Sequence, residues 1–124
     1  GASGNGVFTA VKEHGKSFVI GCDVDQYDDG ANGSSNIVLT SVLKVMRSNV
    51  KAQLDAIKAG TFKGQNVVLH ADTDSTGYVS AEGRHQLSEN TLKALEEVYQ
   101  LVKNGTIVPA ANFNGHTPDN FPGL

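Results

Sequence analysis

Aspartates gather where the chain stops being apolar. Ser17 to Cys22 reads SFVIGC, and Asp23 comes next, with Asp25, Gln26, Asp28 and Asp29 close behind. A carboxylate directly after a buried strand can accept two charge-assisted hydrogen bonds from vicinal hydroxyls such as those of ribose. The plainer role is that of a loop acid capping a turn. Ligands of open α/β sheets sit beyond the carboxyl ends of strands, which favours the first role. Alternation along the chain puts Asp25 on the same side as Asp23, where it orients the first carboxylate or simply meets solvent. Asp23, Asp25, Asp28 and Asp29 crowd into one short stretch, but the EF-hand spacing with its terminal Glu is missing, so no metal is expected.

Other side chains carry less. Helical periodicity beginning at Ser41 places Lys44 in the first turn of a helix, where a cation opposes the dipole by about 0.3–1 kcal/mol. A ligand or the Asp23 carboxylate would account for that placement, and so would plain solvation. Ser3, Gly4, Asn5 and Gly6 form a glycine-rich turn opening a helix, whose N–H groups can meet a ligand oxygen. A turn-and-cap role explains them almost as well, because the dinucleotide fingerprint is incomplete. His14, His70, His85 and His116 lack metal-ligand spacing. Ser41 and Ser80 lack a nucleophile-elbow context. No catalytic residue and no cofactor is expected.

The elements that would position these groups alternate. A helix is expected near 7–14, with Gly15 as its stop. Strands are expected near 17–22, 36–40 and 66–69. A helix over 41–59 is implied by Val42, Val45, Met46, Val50, Leu54 and Ile57, with Thr40 or Ser41 as cap and Gly60 as stop. Ser88 caps the clearest helix, 88–104, along which Leu92, Leu95, Val98, Tyr99 and Val102 line one face. Thr106 to Pro109 suggests a final short strand. This strand–helix alternation implies an α/β fold, a parallel sheet flanked by helices. Residues 1–109 read as the core and 110–124 as an extended tail, in which Phe113 and Phe121 cover apolar surface.

Composition bounds the partners. The 124 residues include 10 basic and 13 acidic side chains, for a net charge of −3. No basic stripe is present, so nucleic acid is not an expected partner. One cysteine, Cys22, permits no internal disulfide. No apolar run approaches the ~20 residues that span a bilayer.

Four segments together resemble the basic membrane protein family, also described as purine nucleoside receptor lipoproteins. They are Gly4 to Glu13 (GNGVFTAVKE), Val19 to Gln26 (VIGCDVDQ), Ile37 to Lys44 (IVLTSVLK) and Leu101 to Pro109 (LVKNGTIVP). Order and spacing, more than any one segment, carry the likeness. The resemblance implies a type I periplasmic-binding-protein-like fold of two lobes, with this chain as the C-terminal portion and the N-terminal lobe outside it. It implies a solute-binding component of an ABC transporter, which closes about a hinge on a nucleoside and delivers it to a membrane permease. Asp23 matches the family's sugar-contacting Asp, Lys44 its ligand-approaching Lys, and the turn at Gly4 and Asn5 lies beside the ligand. The resemblance also implies an extracytoplasmic location, held by a lipid anchor outside this sequence. A ligand-sensing regulatory domain of the same fold is the alternative, and a nucleoside-processing enzyme a third. With half the cleft elsewhere, the chain alone is expected to bind weakly and to form a homodimer through uncovered apolar surface.

Overall fold

The computed structural model describes residues 3–109. The expected tail, 110–124, lies outside them. Helix α1 (Ser3–His14) is followed by strand β1 (Val19–Asp23), a short hairpin of β2 (Ala31–Asn32) and β3 (Ser35–Asn36), strand β4 (Val38–Lys44), helix α2 (Met46–Lys58), strand β5 (Thr76–Tyr78) and helix α3 (Glu89–Lys103). The main sheet has the order β1–β4–β5. β1 and β4 run parallel, and β5 runs antiparallel to β4. The fold is α/β as expected, but the sheet is mixed.

Three features depart from the sequence reading. β4 continues through Ser41 to Lys44, where helical periodicity suggested a helix. Val38, Leu39, Thr40, Val42 and Leu43 suit a pleated surface; β1 pairs along the strand, and β5 pairs on the other side from Val42 to Lys44. The helix therefore starts at Met46 without a side-chain cap, and the Val45 N–H donates instead to the Ser75 carbonyl at 2.9 Å. Asn66 to His70 is not a strand. Val67 and Val68 are exposed there, and no ladder forms. The antiparallel partner comes instead from Thr76–Tyr78. Thr106 to Pro109 also lacks a ladder; the Ile107 N–H turns back to the Leu101 carbonyl. Helix α3 agrees with expectation, with the Ser88 hydroxyl accepting from the Thr91 N–H at 3.2 Å and Gly105 taking a left-handed φ of 78° just past its end.

The core sits between α1 and the parallel pair. Phe8 of α1 packs with Val19, Ile37 and Val38, flanked by Val11 and Tyr27. Farther along β4, the buried Thr40 hydroxyl donates to the Val79 carbonyl at 2.7 Å and secures the segment after β5. The apolar stripe of α2 does form, but Met46, Val50, Leu54 and Ile57 are all exposed.

Candidate functional site

Parallel pairing brings Asp23 and Lys44 together. Asp23 ends β1 in register with Leu43, and Lys44 is the last residue of β4. The Lys44 ammonium lies 3.1 Å from Asp23 Oδ1, and the two side chains are 61% and 46% exposed, so a ligand can reach both. Lys44 thus arrives from a strand end rather than a helix first turn, and Asp23 is its partner. Lys44 also holds the Asp23 carboxyl below its ordinary range, so the carboxylate is ionised at neutral pH. Asp23 has a left-handed φ of 72°. Such a conformation is uncommon outside glycine and persists where the surroundings impose it.

The imposition is visible beneath the loop. Gly21 passes so close to β4 that a Cβ there would fall 2.3 Å from Ser41 Oγ. Ser41, fully buried, accepts from the Gln26 N–H at 3.0 Å. Gln26 in turn accepts the Cys22 N–H at 2.8 Å through Oε1 and donates to Asp29 at 3.2 Å through Nε2. Gly21 and Gln26 of one family-like segment therefore close directly onto Ser41 of another. Lys12 of α1 adds a 2.8 Å bond to the Asp29 carbonyl.

Asp25 does not face Asp23's partner. One of its oxygens accepts the Tyr27 N–H at 2.9 Å and the other meets Arg84 Nε at 2.7 Å. Arg84 also forks onto Asp28, at 2.7 and 3.1 Å, and its guanidinium carbon lies 5.4 Å from the Tyr27 ring centroid. This pairing holds both carboxyls below their ordinary range and raises the guanidinium's pKa further. Sequence reasoning missed Arg84, which is far along the chain. The available signal was the acidic cluster itself, since crowded carboxylates call for a cation.

Gly4 and Asn5 lie in the first turn of α1, not in a turn preceding it, and both are exposed. Among the described residues, no hydrogen bond or ion pair joins them to Asp23 or Lys44. Among the described residues, no three His, Cys, Asp or Glu side chains gather as metal ligands. No helix of the described residues is long and apolar enough to cross a membrane.

A second feature adjoins the end of β4. Thr76 is in register with Lys44 and lines a groove of about 850 Å³ between β5 and α3. Tyr78 and Tyr99 meet edge to face there, 6.4 Å apart, beside Leu95, Val98 and Val102. The Tyr99 hydroxyl donates to the Thr76 carbonyl at 2.9 Å. Asp74, the other non-glycine residue with positive φ among those described, is paired to Lys103 at 2.5 Å.

A family model described as ABC transporter substrate-binding protein, PnrA-like (Bmp), matches residues 1–112. The chain belongs to that family. A comparison with curated proteins gives no match. Bmp proteins are extracytoplasmic substrate-binding components of ABC transporters, which gives the chain a transported solute and a permease as partners in general terms. Asp23 and Lys44 stand at the carboxyl ends of the parallel pair, the position where α/β sheets present ligand contacts.

Proposed function

We propose that the protein captures a nucleoside, with Asp23 accepting hydrogen bonds from the ribose hydroxyls and Lys44 fixing that carboxylate. The observation that carries this reading is the Asp23–Lys44 pair: an ionised, half-exposed carboxylate held 3.1 Å from a cation at the ends of adjacent parallel strands. An ionised carboxylate accepts only, so it selects a ligand rich in donors, and vicinal hydroxyls supply two. Gly4 and Asn5, at the exposed start of α1, are the remaining proposed contacts; Asp25 takes part through the loop rather than by touching the ligand. The opposite wall of the cleft comes from a second lobe outside this chain, which closes about a hinge and docks on the permease. A lipid anchor outside this sequence holds the protein at the membrane. The protein binds and releases its ligand without turning it over.

The test is a titration of the full-length protein with adenosine, comparing Asp23→Ala, Lys44→Ala and Asp55→Ala. A hydrogen bond to a charged group contributes about 1.5–3 kcal/mol, so Asp23→Ala should weaken binding roughly 10- to 150-fold. Lys44→Ala should cost less, because the exposed cation is screened. Asp55 pairs with Lys51 on the exposed side of α2 and should behave as the parent does. Parent-like binding by a folded Asp23→Ala variant would show that the strand-end aspartate is only a turn residue.

A further inference from the structure

We propose that Arg84 is a positioning residue for Asp23, acting through the loop at 24–30. The ligand arm of its test rests on the nucleoside reading; the first arm does not.

Asp23 leaves β1 in a left-handed conformation that its own side chain does not enforce. The loop beyond it is mostly polar; Ser41 and Cys22 hold it at Gln26, Lys12 holds it at Asp29, and Tyr27 packs against the core. Between those points, Asp25, Tyr27 and Asp28 all meet one further side chain. Arg84 binds Asp25 through Nε, binds Asp28 through both Nη atoms, and lies against the Tyr27 ring. The planar fork of a guanidinium suits this arrangement in a way a lysine ammonium does not. Its side chain is only 34% exposed, against 82% for Asp28, so the loop wraps over it.

Arg84 has a fixed base. It stands in the β5–α3 connection, whose backbone is bound to β4. Gln86 donates from its N–H to the Leu39 carbonyl at 2.7 Å, and from Nε2 to the Asn36 and Val38 carbonyls at 2.9 and 2.6 Å. The Val79 N–H donates to the Ser41 carbonyl at 2.9 Å. Both flanks of Arg84 are therefore tied to β4, the strand that carries Lys44. Arg84 holds the loop in a fixed place relative to Lys44, and Asp23, at the root of that loop, stays within reach of its partner. Removing Arg84 also leaves Asp25 and Asp28 near each other without a shared cation, and their repulsion opens the same loop.

The experiment uses the full-length protein and two readouts. The first is the pH titration of the Asp23 side-chain carboxyl by carbon NMR in the parent, Arg84→Met and Arg84→Lys. Arg84→Met should raise the Asp23 midpoint toward the ordinary carboxylate range, as Lys44 loses its hold, with Arg84→Lys in between. The second is the affinity for adenosine against 2′,3′-dideoxyadenosine. Arg84→Met should weaken adenosine roughly two- to fivefold, the scale of a surface ion-pair network, and leave the dideoxy compound unaffected. Asp28→Asn, at an exposed position, gives a smaller shift in the same direction and serves if Arg84→Met does not fold. An unchanged Asp23 titration in a folded variant overturns the proposal, and so does an equal loss for both nucleosides. A shifted titration in a protein that binds neither compound keeps Arg84 in its role and sinks only the nucleoside reading.

Discussion

Gly21 shows how a single residue type can be dictated by its neighbour. A methyl at that position would meet Ser41 Oγ at 2.3 Å and the Gln26 and Ser41 Cβ atoms at 3.0 Å. Ser41 is fully buried and cannot swing aside without abandoning the Gln26 N–H. Gly21→Ala should therefore destabilise the protein by about 1–3 kcal/mol, the usual cost of overpacking, and lower the urea midpoint at unchanged slope. Gly64→Ala, where nothing lies within 4 Å, is the comparison and should leave the midpoint near the parent's. The strand-end aspartate was legible in the sequence because SFVIGC followed by Asp is a local signal. Lys44 was legible as a residue of interest, but its setting was not, since Val42, Val45 and Met46 satisfy helical spacing while β4 is set by pairing with β1 and β5. Arg84 was illegible because its partners, Asp25 and Asp28, are joined to it only by tertiary structure. Asp25 was read by alternation along a strand, and the strand ends two residues before it.

At the scale of elements, the β1–β2 loop depends on charge. Asp25 and Asp28 both have carboxyls held below their ordinary range by Arg84. A group whose pKa is lower folded than unfolded contributes stability above its unfolded pKa, and loses it as pH falls through the folded value. The stability difference between the parent and Arg84→Met should thus be level from pH 7 down to about 5 and shrink below roughly pH 4. Added salt should shrink it as well, because these groups are partly exposed. Urea unfolding across pH and sodium chloride concentration checks both trends; a difference that grows on acidification would contradict the ion-pair account. The helices at 46–58 and 89–103 were legible from periodicity and from caps such as Ser88 and Gly60. The strand expected at 66–69 did not form because an apolar run specifies a buried surface and not a partner, and none of the described residues offers Val67 or Val68 a ladder. The antiparallel direction of β5 was likewise outside what local sequence can express.

The described residues bury little apolar surface for their number. Among the described residues, six hydrophobic side chains are buried, from Phe8 to Val79. Met46, Val50, Leu54 and Ile57 instead form a contiguous stripe along α2, each more than half exposed, and Ile20 and Val42 are exposed on the main sheet. Single exposed apolar residues are ordinary, but a continuous stripe at helical spacing is the kind of surface that seeks cover. In a two-lobed Bmp protein, other parts of the chain can supply that cover. In the isolated chain a second copy can supply it. That chain should therefore self-associate, with a sedimentation coefficient that rises with concentration through the micromolar range. Leu54→Glu, which puts a charge in the middle of the stripe, should shift the population toward monomer without loss of helix by circular dichroism. On the proposed reading, in which Asp23 and Lys44 form one wall of a cleft closed by a second lobe, the same isolated chain should bind adenosine far more weakly than the full-length protein. A parent chain that stays monomeric at every concentration would show that the α2 stripe does not associate. A monomer that matched the full-length protein's affinity would place the whole ligand site within these residues and remove the need for a second lobe.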